Sequence, residues 1–345
     1  MKKSVFWAVG FLALAACTQN QKPSYFIEAT FGEESLNNRM AYIIDYDTDE
    51  VIDSARITDG VAKFSGYIDN AIFAGIKAGD DNYGTFFLEP DSLEMNEGFI
   101  ISGGELNKKM NDYLAQRREV INAYRNLPDS LRDAAYNETS EKVEALDKQL
   151  FDDNMNNAIG YALFIQGSAT EMTVEQLDSI TSVSPYLAKS KRVAAMKDRL
   201  IKAAQTGVGA KFVDFEVTYN DSTFRLSDHV GKGHPVVVDF WASWCGPCIM
   251  QGEILKDIYK KYADKGLEII GVAVWDEPEK TIEAAAQHQY PWEIVANAQQ
   301  IPSDLYGFDA IPCIIVLDGD GTIVSRDKQS EQLRADIAKV MGDNN

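Results

Sequence analysis

A short apolar segment, Val236 to Phe240, constrains the fold of this chain more than any other part of its sequence. The segment is apolar apart from Asp239, which is typical of a central strand buried on both faces. Apolar residues at helical spacing follow it from about Pro247 to Tyr262. Strand and helix patterns then alternate to the end of the sequence. The sequence therefore predicts a carboxyl-terminal α/β domain over residues 206–345.

Two cysteines, Cys245 and Cys248, stand between this strand and the helix in the run Trp-Cys-Gly-Pro-Cys. Free amides and the helix dipole at the start of a helix stabilise a negative sulfur, and the thiolate is the species that attacks a disulfide. The second cysteine lies one helical turn from the first, so the two sulfur atoms can meet. Pro247 in the first turn costs no backbone hydrogen bond. The run predicts a redox-active dithiol in which Cys245 attacks a partner disulfide and Cys248 resolves the mixed disulfide.

Half of a zinc site is the alternative interpretation of a Cys-x-x-Cys pair. Zinc requires four ligands, usually from a second such pair or from added histidines. The chain has three histidines, and none is paired beside a cysteine. We therefore expect no metal, and no cofactor other than the redox-active disulfide Cys245–Cys248.

The overall composition limits the classes of protein that the chain can belong to. Its 345 residues, 45% of them hydrophobic, are enough for two or three compact domains. The formal net charge of -20 argues against a nucleic-acid partner, because the nucleic-acid backbone is bound by clustered Lys and Arg. Four cysteines are too few for a small domain held together by disulfides.

The first 17 residues have the pattern of a bacterial export signal. Lys2 and Lys3 precede an apolar stretch from Val5 to Ala16, shorter than the roughly 20 residues that span a bilayer. The stretch ends in Leu-Ala-Ala-Cys17, which resembles the lipobox of lipoproteins. The resemblance implies a signal peptide ending at Cys17, lipidation of that cysteine, a tether over residues 18–24, and a membrane-anchored protein facing the periplasm. The alternative is cleavage at a small-residue site with an incidental cysteine.

Residues 25–103 are predicted to form a small all-β domain. Turn signals such as Asp59-Gly60 separate short strand patterns, which is typical of a small β-sandwich or barrel. We interpret Asp80 and Asp81 as a solvated turn rather than a metal site. The stretches from Tyr46 to Ser54 and from Phe86 to Pro90 resemble the amino-terminal domain of many exported thioredoxin-like proteins of Bacteroidetes. The candidate strands are Tyr25–Phe31, Ala41–Asp45, Val51–Ile57, Val61–Ile68, Ala71–Ile76, Thr85–Leu88 and Leu93–Ile101.

Residues 104–205 are predicted to form a helical spacer or subdomain. Apolar residues recur there at helical spacing, and Pro128 marks a break between two helices. Ser184-Pro185 fits the start of a further helix, which we expect to continue to Ala204.

Residues 207–345 carry four features that point to one family. They are the Trp-Cys-Gly-Pro-Cys run, Asp239 six residues before Cys245, the segment Ala310-Ile311-Pro312, and a hairpin turn over Leu317 to Gly321. With these features the region resembles the thioredoxin fold, most closely the exported TlpA/ResA-like thiol–disulfide oxidoreductases. Between Trp275 and Gly307 there is room for a helix, a strand and a second helix, and an extra helix and strand there is usual in that group.

The resemblance implies a thioredoxin-like domain with a central mixed sheet and assigns roles to further residues. Asp239 is expected to have a raised pKa, since it is buried, and to accept the proton of Cys248 during resolution. Pro312 is expected to be cis, so that the backbone of Ile311 can pair with an extended substrate segment. Trp244 is expected to shield the dithiol and contact the substrate. The implied partners are a protein with a disulfide or thiol and an upstream membrane-linked electron donor.

Three residues depart from the family pattern. Gln251 stands three residues after Cys248, where relatives often have Glu, and Glu253 stands where a Pro is common. Cys313 directly follows Pro312, and we expect it to be a buried, inert thiol. A third redox sulfur is the alternative for Cys313.

Two other functions compete with a disulfide reductase. A peroxiredoxin-type peroxidase shares the fold, but Val238 and Ala242 occupy the places of the Pro and Thr or Ser in its cysteine pattern. A partner-binding lipoprotein with an accessory redox domain is the other alternative. The Gly-Pro dipeptide between the cysteines is that of thioredoxin and predicts a reductant.

Overall fold

A computed structural model describes residues 24–79, 81–167 and 172–343, without the side chains of residues 81–83. The chain divides into two compact units: Met1–Ala169 with Val183–Lys191, and Thr170–Ser182 with Arg192–Asn345. The predicted signal peptide, Cys17 and Asp80 lie outside the described residues, as does the tether up to residue 23. Within the described ranges, none of the helices combines the length and the apolar character needed to cross a bilayer.

The described part of the first unit contains two four-stranded sheets that share one hydrophobic core. The sheet orders are β4-β1-β7-β8 and β3-β2-β5-β6, and Ile27 of one sheet and Ile43 of the other belong to the same buried cluster. The predicted small all-β domain is therefore a β-sandwich. Its strands are β1 (Tyr25–Thr30), β2 (Met40–Asp45), β3 (Val51–Arg56), β4 (Val61–Gly66), β5 (Ile72–Ala78), β6 (Asp81–Leu88), β7 (Ser92–Met95) and β8 (Ile101–Ser102).

The predicted single strand over Leu93–Ile101 is wrong. Strand β7 ends at Met95 and β8 begins at Ile101. Between them, the Asn96 side chain accepts hydrogen bonds from the backbone N–H groups of Gly98 and Ile100, at 2.9 and 3.0 Å. These bonds fold the segment into a tight turn, so β8 pairs back against β7.

Two buried or partly buried carboxylates attach helices to the sandwich. Glu89 accepts hydrogen bonds from the backbone N–H groups of Leu106 and Asn107, and so satisfies free donors at the start of the first helix. Asp47 accepts hydrogen bonds from the Tyr161 hydroxyl at 3.0 Å and from the Lys191 backbone N–H at 2.8 Å. The helices of residues 105–205 are α1 (Glu105–Arg125), α2 (Asp129–Asn154), α3 (Ala158–Gln166), α4 (Val174–Val183), α5 (Pro185–Ala188) and α6 (Lys191–Gln205).

Ser184 caps a shorter helix than the sequence predicts. Its hydroxyl accepts a hydrogen bond from the Leu187 N–H, but α5 ends at Ala188 and α6 begins at Lys191. The expected continuous helix to Ala204 is interrupted because the Lys191 N–H donates to Asp47 instead of to a helical carbonyl. Pro128 marks the break between α1 and α2, as predicted.

The helical residues 104–205 are shared between the two units. Helices α1, α2, α3 and α5 lie in the first unit, while most of α4 and α6 lies in the second. In the second unit, the Arg326 guanidinium donates to the backbone oxygens of Thr206 and Tyr306, at 2.9 and 2.8 Å, and so fixes the end of α6. The boundary predicted at residues 205/206 stays a prediction.

The second unit contains a five-stranded mixed sheet of order β13-β12-β11-β14-β15. Strands β11, β12 and β13 are parallel, and β14 is antiparallel to both β11 and β15. A hairpin of β9 (Glu216–Tyr219) and β10 (Ser222–Arg225), which the sequence analysis did not predict, precedes the sheet. The sheet strands are β11 (Val236–Trp241), β12 (Glu268–Ala273), β13 (Glu293–Val295), β14 (Cys313–Leu317) and β15 (Ile323–Arg326).

Helices pack on this sheet, and the sequence analysis predicts all of them except the last. They are α7 (Gly246–Tyr262), α8 (Pro278–Gln287), α9 (Ile301–Tyr306) and α10 (Ser330–Val340). The helix, strand and helix expected between Trp275 and Gly307 are α8, β13 and α9. All six residues of β11 are buried. Val237 packs on the face of α7 and α10, whereas Val236, Val238 and Phe240 pack on the opposite face.

Gly307 lets α9 and α6 approach closely, and this contact is testable. Its φ is +67°, and a Cβ there would lie 2.2 Å from the backbone oxygen of Arg199 in α6. Gly233 also has a positive φ, +92°, but its Cβ position is open. We expect Gly307→Ala to lower the free energy of unfolding by roughly 1–3 kcal/mol more than Gly233→Ala, because only the former adds a backbone clash to the strain.

Urea unfolding followed by tryptophan fluorescence measures this difference, because the described tryptophans, Trp241, Trp244, Trp275 and Trp292, all lie in the second unit. Equal losses in the two variants would contradict the close contact.

Candidate active site

The two cysteines of the Trp-Cys-Gly-Pro-Cys run form a disulfide at the start of α7. Cys245 and Cys248 are joined with their Cα atoms 5.2 Å apart. Cys245 is the N-cap residue of the helix, and the Cys248 backbone N–H lies 3.2 Å from its sulfur. Both cysteines are buried beneath exposed neighbours, which include Trp244 and Pro247. The Cys248 amide in the first turn of α7 therefore points at the Cys245 sulfur, where a hydrogen-bond donor can stabilise negative charge.

The loop before β14 faces the disulfide. The Ile311–Pro312 peptide bond is cis, as predicted. The backbone oxygen of Ile311 lies 3.8 Å from the Cys245 sulfur. Ile311 and Pro312 are only partly buried, so this loop is accessible next to the Cys245 sulfur.

Asp239 lies inside β11, on the side of the sheet that α7 covers. Side chains alternate along a strand, and Val237 and Trp241 on either side of Asp239 belong to the clusters formed with α7. Asp239 is only 3% exposed, and its Oδ1 makes no hydrogen bond to the described part of the chain. Burial raises the pKa of Asp239 from 3.8 to about 7. The carboxyl group can therefore gain or lose a proton near neutral pH beneath the first turns of α7.

Trp244 projects outward beside the disulfide. Its side chain is 62% exposed, and the indole Nε1 donates a hydrogen bond to the Trp275 backbone oxygen at 3.2 Å. The bond holds the ring on the surface next to Cys245. Trp241, in contrast, is buried in the core, as the sequence analysis expects.

Asp276 fixes the loop that leads into Cys245, and the sequence analysis missed it. Its buried carboxylate accepts hydrogen bonds from the backbone N–H and the hydroxyl of Ser243, at 2.7 and 2.9 Å. It also accepts a hydrogen bond from the Thr281 hydroxyl at 2.8 Å. Its position shortly after the segment that forms β12 could have indicated this contact, because the carboxyl ends of adjacent parallel strands lie side by side.

Tyr290 is a second missed residue near the disulfide. Its ring packs against Trp241 and Trp292, with centroids 5.4 and 4.9 Å apart. Its hydroxyl approaches Gly252 of α7 so closely that a Cβ there would lie 2.2 Å from the oxygen. Burial, and the negative charges of Asp239 and Glu253, raise the pKa of Tyr290. The phenol therefore stays neutral next to the buried carboxyl.

Gln251 and Cys313, two of the residues that depart from the family pattern, are both buried in the second unit. The Gln251 side-chain oxygen accepts a hydrogen bond from the Ser330 N–H at 3.0 Å, which ties α7 to the start of α10. Cys313 is buried, and it packs with Phe240 on the face of the sheet opposite to α7. Burial, followed by the nearby charge of Asp327, raises the pKa of Cys313. The expected burial of Cys313 is confirmed, while its redox inactivity stays a prediction.

The fold and the site define the class of this unit. A central mixed sheet with this strand order, a disulfide at the start of the helix after the middle strand, and a facing cis-proline loop form a thioredoxin-like domain. Residues 208–326 match the family model described as AhpC/TSA family.

Particular relatives narrow the class further. Thiol-disulfide oxidoreductase ResA of Bacillus thuringiensis (strain Al Hakam) is 28% identical over 138 residues, which are 39% of this chain and 78% of that protein. ResA of Geobacillus kaustophilus (strain HTA426) is 31% identical over 118 residues, 34% of this chain and 66% of that protein. The crystal structure of the thioredoxin domain of a Bacteroides vulgatus thiol-disulfide oxidoreductase covers 39% of this chain and 98% of its own, with 24% identity and a TM-score of 0.35. The second unit thus has thiol-disulfide oxidoreductases as homologues.

Because the pKa of Asp239 is raised in the folded protein, we expect the free energy of unfolding to depend on pH. Between the ordinary value of 3.8 and the folded value of about 7, the folded carboxyl holds a proton that the unfolded one has lost. Asp239 therefore favours the folded state at low pH, and this advantage is lost as the pH rises through about 7. Relative to Asp239→Asn, we expect the oxidised wild type to lose about 4 kcal/mol of unfolding free energy from about pH 4 to about pH 8.

Urea unfolding of both proteins across this pH range checks the prediction. Asp264→Asn is the matched control, because Asp264 is exposed and its substitution should leave the pH profile of the wild type unchanged. A constant difference between wild type and Asp239→Asn would contradict the raised pKa.

Proposed function

We propose that the chain is a thiol–disulfide oxidoreductase that reduces disulfides of partner proteins in the cell envelope. The observation that carries this proposal is the Cys245–Cys248 disulfide at the start of α7, directly facing the Ile311–Pro312 loop. The thiol-disulfide oxidoreductase relatives of the same region support it. The disulfide itself is the redox group, and no other cofactor is needed.

The first step is attack by the reduced protein on a partner disulfide. The Cys245 thiolate forms a bond to one partner sulfur, and the other partner sulfur leaves as a thiolate. Amides of the first turn of α7, including the Cys248 N–H that lies 3.2 Å from the Cys245 sulfur, stabilise the charge before attack. The product is a mixed disulfide between Cys245 and the partner.

The second step resolves the mixed disulfide. Cys248 gives up its proton, attacks the Cys245 sulfur and displaces the second partner sulfur as a thiolate, which then takes up a proton. Two electrons have then passed to the partner, and the chain holds the disulfide Cys245–Cys248. Asp239, buried on the α7 face with a pKa of about 7, is the proposed acceptor of the Cys248 proton, directly or through water.

The substrate is proposed to bind as an extended segment beside the disulfide. The Ile311 backbone offers hydrogen-bonding groups close to the Cys245 sulfur, and Pro312 fixes the direction of the chain there. The exposed indole of Trp244, next to Cys245 in the chain, supplies an apolar contact. These groups recognise backbone and apolar surface, which suits protein substrates.

We propose that Cys17 anchors the protein in a membrane through a lipid and that the two units face the periplasm. The β-sandwich unit is proposed to be the amino-terminal domain of the Bacteroidetes type of exported thioredoxin-like protein. No glutathione buffer keeps thiols reduced in that compartment. The cycle therefore needs an upstream, membrane-linked dithiol donor that reduces Cys245–Cys248 again.

Trapping tests the two-step scheme. In reduced Cys248→Ser, the mixed disulfide forms but is not resolved, so we expect covalent complexes between Cys245 and its partners. Non-reducing electrophoresis of envelope extracts detects these complexes, and mass spectrometry after reduction identifies the partner. Cys245→Ser is the matched control, because it lacks the attacking sulfur and should trap little or nothing.

Two results would contradict the scheme. One is the absence of reductant-sensitive complexes in Cys248→Ser, and the other is an equal yield from Cys245→Ser. The proposed direction of electron flow fails separately if the measured reduction potential lies near that of the oxidant DsbA, roughly -120 mV.

Fractionation tests the anchor. We expect Cys17→Ser to move from the membrane fraction to the soluble fraction and to lack the lipid mass on the amino-terminal peptide, because the lipidated side chain is removed. Cys313→Ser changes a cysteine elsewhere and should remain with the membrane. Retention of Cys17→Ser in the membrane fraction would refute lipid anchoring at this residue.

A further inference from the structure

Three buried polar groups beneath the first turns of α7 have no hydrogen-bond partner in the described part of the chain. They are Asp239 Oδ1, Trp241 Nε1 and the Tyr290 hydroxyl. Trp241 and Tyr290 pack in the same cluster as the disulfide. Buried polar groups are nearly always paired, either with protein or with ordered water. An acceptor and two donors left unpaired in one place therefore indicate a shared partner.

The Trp241 indole N–H lies beside the Asp239 carboxyl. The two residues are two positions apart in β11, so both side chains are on the face that α7 covers. Gly271 of β12 is the register partner of Asp239, and paired positions of neighbouring strands are about 4.8 Å apart. A Cβ at Gly271 would lie 3.2 Å from Trp241 Nε1. The indole N–H therefore occupies the space next to Asp239 that a side chain at position 271 would fill.

The Tyr290 hydroxyl reaches the same region from the side of α7. A Cβ at Gly252 would lie 2.2 Å from the hydroxyl oxygen, so the hydroxyl fills the space that a side chain on this helix would take. Gly252 is four residues after Cys248 and lies on the same face of α7. Burial raises the pKa of Tyr290, and the charge of Asp239 raises it further. The hydroxyl is therefore within electrostatic reach of the Asp239 carboxyl.

We propose that one buried water molecule joins Asp239 Oδ1, Trp241 Nε1 and the Tyr290 hydroxyl, and that Tyr290 is a positioning residue for the proton acceptor. The water accepts hydrogen bonds from the indole N–H and the phenol O–H, and it donates one to the carboxylate. Three hydrogen bonds are typical of a buried water. The inference rests on the proposed function, in which Asp239 accepts the proton of Cys248.

This arrangement favours the charged form of Asp239, because a hydrogen bond that is donated toward a carboxylate stabilises the negative charge. Loss of the Tyr290 hydroxyl should therefore raise the pKa of Asp239 further. Other titratable or charged groups also face this region from the packed elements, and a histidine among them can titrate near neutral pH. They include Cys245, Cys248, Glu253, Lys256, His288 and Cys313.

Urea unfolding of the oxidised full-length protein from about pH 4 to about pH 9 tests this role. Wild type and Tyr290→Phe are each compared with the same protein carrying Asp239→Asn, so that the contributions of the other groups cancel. In the wild type, the difference should fall with pH and level off above about pH 7. In Tyr290→Phe it should continue to fall and level off roughly 1 pH unit higher, because one hydrogen bond to the charged group is lost.

Tyr259→Phe is the matched control. Tyr259 packs its ring against Trp292, as Tyr290 does, with centroids 5.9 and 4.9 Å apart. Its hydroxyl is not one of the buried, unpaired groups of the described chain. Tyr259→Phe should therefore level off at the same pH as the wild type. The inference is overturned if Tyr290→Phe does so too, or if Tyr259→Phe shifts as far as Tyr290→Phe.

Kinetics of the reduced protein with one equivalent of dithiobis(nitrobenzoate) separate this inference from the proposed function. Attack by Cys245 releases one nitrothiobenzoate, and resolution by Cys248 releases the second. In Tyr290→Phe the second release should be about 5-fold slower at about pH 7 and recover as the pH rises, because protonated Asp239 cannot accept a proton. No second release from the wild type would contradict the two-step scheme, while the unfolding comparison would still decide the role of Tyr290.

A crystal structure that resolves ordered waters gives an independent test, even if Tyr290→Phe does not fold. We expect density for one water at about 3 Å from both Asp239 Oδ1 and the Tyr290 hydroxyl. A dry site, or a Tyr290 hydroxyl bonded to a backbone oxygen instead, would overturn the inference.

Discussion

Strand β11 is buried at every residue, and its two faces pack against different cores. A shift of register by one residue would exchange the faces and place Val238 where Asp239 lies, so the packing of the whole sheet holds Asp239 on the side of α7. The same strand ends at Trp241 and delivers the chain to Cys245 at the start of α7. One fixed element therefore sets the positions of both the buried acid and the first sulfur. The large desolvation of a carboxyl group in this strand is the physical origin of its pKa near neutrality.

The parts of the site that the sequence predicts correctly are the parts encoded by neighbouring residues. The cysteine pair, the strand before it and the cis bond at Pro312 each follow from a short segment. The sequence did not predict Asp276 and Tyr290 because their contacts form only when separate segments pack together. Asp276, after β12, accepts hydrogen bonds from Ser243, which follows the neighbouring strand β11. Tyr290 packs against α7 at Gly252. Helix ends were hard to predict for a similar reason, because α6 begins where the side chain of Asp47, far away in sequence, takes up the Lys191 N–H.

The first unit contains the two stretches on which the proposed Bacteroidetes-type assignment of the β-sandwich rests. The two stretches that resemble the Bacteroidetes domain contain Asp47 and Glu89, the two carboxylates that hold helices to the β-sandwich. Glu89 lies at the start of α1, where a negative charge is favoured by both the free amides and the helix dipole. Acidic residues at such positions stabilise the packing of a helix on a sheet without needing a large apolar contact.

The contrast in exposure between Asp239 and Trp244 has a consequence for how such a protein diverges. The groups that exchange electrons and protons in the proposed cycle, Cys245, Cys248 and Asp239, are buried in the sheet and at the start of α7, where most substitutions would disturb the core. The indole of Trp244, at 62% exposure, contributes little to that core and meets whatever approaches the disulfide. Under the proposed function, substitution at this surface position is expected to change the preferred partner at little cost to folding. A scaffold of this kind would then be redirected from one client protein to another by mutation of its exposed surface around the disulfide alone.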